Sequence, residues 1–190
     1  MPKAGRKLRA DAQANRLKLM DAAKLVFGRG DERASLEAVA REAGVGIATL
    51  YRNFPTREDL YEAVYNREVD DMTALAETLR DAPDPVAAIR RWLHTLIDLV
   101  ATKRGLVAGL AINAETMSSI SMRMGQRLAH ALDQLVARGI AESMLREDVS
   151  GMDLLSAVIG TCIVRSDPDW HEAAMRMSDI IVDGLEHPQR

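Results

Sequence analysis

Residues 36–55, LEAVAREAGVGIATLYRNFP, constrain the fold of this chain more than any other stretch. Counting from Leu36, a small Ala40 falls fifth, Gly44 ninth, Val45 tenth and Leu50 fifteenth. A small residue lets two helices approach closely, and a glycine accepts the left-handed backbone of a tight turn. Val45 and Leu50 fill the wedge between the helices. Leu36, Val39, Ala40 and Ala43 form the apolar stripe of the first helix, which Ser35 can cap. Glu37 lies in its first turn, facing the positive helix end. A second short helix is predicted over about 47–53, and Pro55 stops it. The spacing is that of a helix-turn-helix.

The rest of the chain also reads as helices, with no convincing strand or repeat. Leu19, Ala22, Ala23, Val26 and Phe27 follow helical spacing over about 11–29, with Gly28 and Gly30 closing that helix. Thr56 can cap a helix running to about residue 78. Asp84–Pro85 reads as a cap followed by a first-turn proline, opening a helix to about residue 101. Further helices are expected over 104–114, 118–138, 150–164 and 168–186, the last opened by Asp167–Pro168. The expected fold is all-α: an N-terminal three-helix, homeodomain-like head and a C-terminal bundle of about five to six helices. The domain division is 1–55 for the head, with a basic arm at 1–10, and 56–190 for the body, with helix 56–78 as the connector.

Charge is distributed to match that division. Residues 1–55 hold 11 Lys/Arg against 6 Asp/Glu, and residues 56–190 hold 14 against 22. A basic head is thus joined to an acidic body, so phosphate is drawn to the head alone. The second helix of the helix-turn-helix presents Gly46, Ala48, Thr49, Arg52 and Asn53, groups short or polar enough to approach base edges or phosphates. Arg57 stands at the start of the next helix, where its guanidinium and the helix-start amides could hold a phosphate. Arg6, Lys7 and Arg9, with Lys3, make the arm a candidate for the DNA minor groove or backbone.

Other function classes find little support. The balance of 47% hydrophobic and 28% charged residues is that of a globular protein. With aromatics at 4%, the core must come from aliphatic residues and methionine, which favours helices. Four histidines, one cysteine and no glycine-rich phosphate loop leave an enzyme only a remote alternative, so no catalytic residue and no cofactor are assigned. His94 and Asp98 share a helix face, but two ligands do not make a metal site, and none is assigned. Cys162 cannot form an internal disulfide and reads as a small buried hydrophobe. No apolar signal segment or 18-residue uncharged run appears, so no membrane partner and a cytoplasmic location are expected.

The run SLEAVAREAGVGIATLYRNFPTREDLYEAV closely resembles the signature of TetR-family transcriptional regulators. The resemblance is specific over about residues 11–65, and beyond that it lies in length and helix count. It implies a sequence-specific DNA-binding regulator. By its residue-by-residue correspondence, Thr49 and Tyr51 would contact phosphates through their hydroxyls, and Arg57 would hold another. Ala48, Arg52 and Asn53 would lie nearest the bases, and Ser35 would cap its helix and touch the backbone. Gly46 and Ile47 stand where Ser and Lys often occur, which leaves Arg52 and Asn53 as the principal candidates for reading bases.

The same resemblance implies a homodimer formed through the last two helices and a repressor released from a palindromic operator by a small-molecule effector of unknown identity. The expected dimer residues are Leu155, Val158, Ile159, Cys162, Met177, Ile180 and Ile181. Ten methionines suit an adaptable apolar cavity as well as ordinary core filling. The candidate ligand-contacting residues are Trp92, His94, Asn113, Met117, Met122 and His130. The alternative keeps the DNA-binding head and assigns its control to a protein partner instead of a small molecule.

Overall fold

The computed structural model describes residues 3–28, 34–165 and 167–186, with side chains from residue 11 onward. Among the described residues the chain is all helical, with eight helices and no strand. They are α1 (Lys3–Gly28), α2 (Leu36–Glu42), α3 (Ile47–Asn53), α4 (Arg57–Leu79), α5 (Pro85–Leu110), α6 (Ala114–Ala141), α7 (Gly151–Val164) and α8 (Trp170–Asp183). An isolated bridge joins Leu145 and Glu186.

Several boundaries differ from the sequence expectation, α6 among them, which runs Ala114–Ala141 instead of about 118–138. Helix α1 begins at Lys3 instead of about residue 11, because KAGRKLRA is rich in good helix formers. Gly30, expected to close it, lies outside the described residues. The expected break near 101–104 does not occur, and α5 continues to Leu110. Gly105 and Gly109 are there for close approach. A Cβ on Gly105 would sit 2.5 Å from the Phe27 carbonyl oxygen, and one on Gly109 would sit 2.2 Å from the Phe27 ring. Helix α8 begins at Trp170, beyond Pro168. The Asp167 carboxylate accepts from Arg165 at 2.9 and 3.0 Å and so does not cap the helix.

The chain divides into two compact units. One comprises residues 1–67 and 102–120, and the other 68–101 and 121–190. Helices α4, α5 and α6 thus each give residues to both. In the first unit, α1 buries Leu19, Ala23 and Phe27, α2 buries Leu36 and Val39, and α3 buries Leu50. Leu60 and Val64 of α4 and Leu106 of α5 complete this apolar interior. Arg67 pairs with Asp21 at 2.8 Å.

The second unit is centred on Trp92, Leu93, Leu96 and Ile97 of α5, all fully buried. The Trp92 indole donates to the Met72 carbonyl at 3.0 Å, which satisfies its one polar atom. A polar seam fastens α5 to α8. Arg90 reaches Asp179 at 2.9 Å and Asp183 at 2.6 Å, His94 pairs with Asp179 at 2.8 Å, and Asp98 pairs with His171 at 2.8 Å. Ser150 caps α7 in a reciprocal arrangement with Asp153. No helix of the described residues is long and apolar enough to cross a membrane.

Candidate nucleic-acid interface

The helix-turn-helix is built by the residues that its spacing singled out. Ser35 Oγ accepts from the Ala38 amide at 3.1 Å and starts α2. The turn closes on Gly44, at φ +67°, a conformation costly for any residue with a Cβ. Its amide donates to the Arg41 carbonyl at 3.1 Å, and Val45 donates to the Ala40 carbonyl at 3.0 Å. This pair of bonds is a Schellman motif, and it satisfies two carbonyls at the end of α2. Gly46, extended at φ −73° and ψ 150°, is the N-cap of α3.

Helix α3 is anchored on one side and open on the other. Leu50 and Phe54 are buried, while Gly46, Ile47, Ala48, Tyr51 and Arg52 are exposed, and Thr49 and Asn53 are half-buried. The exposed face carries small groups, one aliphatic side chain, a phenol and a guanidinium, chemistry that suits a major groove, whose edges include thymine methyls. Arg52 Nη2 donates to Thr49 Oγ1 at 3.0 Å, and Asn53 Nδ2 donates to the Thr49 carbonyl at 2.8 Å. The Thr49 hydroxyl keeps its own proton for an acceptor.

At the start of α4, Thr56 Oγ1 accepts from the Asp59 amide and the Thr56 amide donates to Asp59 Oδ2, both at 3.0 Å. That reciprocal cap places the exposed Arg57 at the first helical position, beside the end of α3. Arg57 Nη1 also donates in a long contact, 3.4 Å, to the Leu110 carbonyl, 53 residues along the chain. Arg6, Lys7 and Arg9 lie on the backbone of α1, and their side chains are outside the described residues.

Sequence reasoning missed Arg16. It donates from Nη1 to the Asn53 carbonyl at 2.8 Å, and its guanidinium lies 4.2 Å from the centre of the Phe54 ring. Its place on the same helical face as Leu19, Ala23 and Phe27 was the available signal.

The six candidate ligand contacts stand in different local surroundings. Trp92 is fully buried and His94 is engaged by Asp179. Asn113 caps α6, its Oδ1 accepting from the Thr116 amide at 2.8 Å. His130 is exposed beside Gln134, Met117 is half-buried, and Met122 is 68% exposed. Asn113 and Met117 belong to the first compact unit and the other four to the second. An open groove of about 310 Å³ is lined by Lys18, Asp21, Ala22, Leu25, Glu42 and Ala43, none of them among the six. Among the described residues, no three His, Cys, Asp or Glu side chains come together as a metal site would need.

The expected dimer residues divide by burial. Leu155, Val158 and Cys162 are buried within the single chain, so these three serve the core of the second unit. Met177 and Ile180 are exposed, while Ile159 and Ile181 are half-buried. Met152, Ile163 and Val164, which were not among the expected residues, are exposed as well, Ile163 at 70% and Val164 at 84%. The signal was present. Helix α7, GMDLLSAVIGTCIV, has Asp153 as its only charged residue, and a helix apolar all round asks for cover on both sides.

Comparison with known proteins agrees with this geometry. Residues 19–64 match the family described as bacterial regulatory proteins, tetR family, and residues 84–187 match the C-terminal domain described as transcriptional regulator SbtR-like. A TetR transcriptional regulator from Streptomyces coelicolor is 35% identical, with 92% of this chain and 99% of that one covered and a TM-score of 0.76. A TetR transcription regulatory protein from Mycobacterium vanbaalenii is 28% identical, with 95% and 99% covered and a TM-score of 0.69. An HTH-type transcriptional regulator of Staphylococcus aureus is 33% identical over 75 residues, 39% of this chain and 40% of that protein's length. These relatives are transcriptional regulators and not enzymes. The chain belongs to the TetR family of DNA-binding transcriptional regulators.

Proposed function

We propose that the chain is a ligand-responsive repressor that binds a palindromic operator as a homodimer, with α3 as the helix that reads bases. The open face of α3, held from behind by Leu50 and Phe54, is the observation that carries the reading. Arg52 and Asn53 read base edges, helped by Gly46 and Ala48. Thr49, Tyr51 and Arg57 hold phosphates, Ser35 adds a backbone contact, and Arg6, Lys7 and Arg9 follow the minor groove or backbone. Residues 1–55 form the DNA-binding part and residues 56–190 the sensing and dimerising part, with α4 joining them.

The dimer reading rests on α7 and α8. Met152, Ile163, Met177 and Ile180 leave an apolar surface on two sequential helices, and α7 has almost no charge to solvate it. A second copy of the chain covers that surface. One head spans few base pairs, and two heads on successive half-sites supply useful affinity and specificity. An effector acts by binding more tightly to the dimer whose heads do not match the operator. Trp92, His94, Asn113, Met117, Met122 and His130 are the candidate effector contacts, and control by a protein partner is the second reading.

Two experiments test this. Selection of genomic fragments bound by the full chain returns a two-fold-symmetric site, and an asymmetric consensus overturns the dimeric operator. A thermal-shift screen of small molecules yields a compound that both raises the melting temperature and releases the selected DNA. Release by a protein and by no small molecule favours the second reading.

A further inference from the structure

Base reading by α3 depends on where its last turn stands, and α3 alone cannot fix that. With seven residues it spans two turns, far below the length at which a helix holds itself. Its last carbonyls have no donor within the helix. Phe54, the C-cap, leaves helical geometry at φ −137° and ψ 88°. Arg16 on α1 supplies what is lacking. It donates to the Asn53 carbonyl at 2.8 Å, and its positive charge opposes the negative end of the α3 dipole. Its guanidinium also lies 4.2 Å from the centre of the fully buried Phe54 ring, a fixed platform. The Asn53 side chain and Arg52 are each tied to Thr49, so the turn that Arg16 holds moves as one piece.

We propose that Arg16 is a positioning residue for DNA recognition: through the Asn53 carbonyl and the Phe54 ring it sets the register in which Arg52 and Asn53 meet the bases. This rests on the reading of α3 as the base-reading helix. The rival is a plain phosphate clamp, since Arg16 is basic and exposed. The two differ in their dependence on salt. Losing a clamp weakens all sequences alike and lowers the slope of log affinity against log salt by about 0.9. Losing a positioning residue narrows the preference for the correct site and leaves the slope unchanged.

The test uses the full chain, with Arg16→Ala, Arg16→Lys and Arg52→Ala. Each is measured against a duplex carrying the site selected by the wild type and against a scrambled duplex, across a salt series. Arg16→Ala is expected to narrow the affinity ratio about tenfold, the worth of one misplaced base contact, with the slope kept. Arg16→Lys keeps the charge without the planar fork and recovers part of the ratio. A uniform loss with a slope lower by about 0.9 overturns the proposal, as does an unchanged ratio. If Arg16→Ala melts below the assay temperature, Arg16→Lys decides, and a wild-type ratio there overturns it. A ratio narrowed by Arg52→Ala but not by Arg16→Ala refutes Arg16 alone. A ratio narrowed by neither refutes the α3 reading with it.

Discussion

Helices α3 and α7 each turn one face to solvent, and the two faces are opposite in kind. On α3 the open face is Gly46, Ile47, Ala48, Tyr51 and Arg52, mostly small or polar groups around one cation. On α7 it is mostly apolar, with Met152, Ile163 and Val164 exposed, Ser156, Ala157 and Gly160 between them, and Asp153 as the one charge, at the first turn. Both helices bury their other side, α3 through Leu50 and α7 through Leu154, Leu155, Val158 and Cys162. Exposure alone therefore does not name a partner. A polar, hydrogen-bonding face meets a nucleic acid whose own edges are polar, and an apolar face meets another apolar face.

The largest effect expected is on the apolar side. A pair of charges at Ile163→Asp and Ile180→Asp should weaken self-association by at least about a hundredfold, since each acid would be buried unpaired in the interface. Sedimentation equilibrium checks it, and a chain that stays dimeric refutes the assignment of that face. On the polar side, Leu50→Ala removes the anchor of α3 and should cost about 3 kcal/mol, within the range for a buried leucine. DNA binding should then fall while the dimer persists, as read by circular dichroism and sedimentation. Arg52→Ala should cost about 1–3 kcal/mol at one base position and leave others alone. Equal weakening on every sequence would make Arg52 a phosphate contact.

The smallest effect concerns the seam between α5 and α8. Burial pushes the Asp179 carboxyl up, but the Arg90 and His94 hydrogen bonds outweigh it and hold it below the usual carboxylate range. A carboxylate with a lowered folded pKa stabilises the fold above the ordinary aspartate pKa of about 3.9. That contribution is lost as pH falls through the lowered value. Urea midpoints should therefore drop below about pH 4, and Asp179→Asn should make the drop shallower. With Asp179 40% exposed, solvent screening keeps the effect small.

The helix-turn-helix was legible because its constraints are local. Gly44 must take a positive φ, Ala40 must be small, and Ser35 must cap, and each requirement shows as a residue type at a fixed position. Arg16 was not legible, because its partners, Asn53 and Phe54, lie far along the chain and one of its contacts is to a main-chain atom. The place of Gly105 and Gly109 was hidden for a related reason, since only the fold shows Phe27 lying against them. The polar candidates for a ligand site were chosen by type alone. Packing has used Trp92, His94 and Asn113 for a buried indole bond, an ion pair and a helix cap.

The measurement that bears most directly on the paired surfaces is affinity for a full palindromic duplex against affinity for a duplex carrying one half-site. The wild type should prefer the full site by about a hundredfold or more, because two linked heads bind as one unit. The Ile163→Asp, Ile180→Asp chain should bind both duplexes with the weak affinity of a single head. If that variant keeps the wild-type preference, the apolar face of α7 and α8 does not pair the heads.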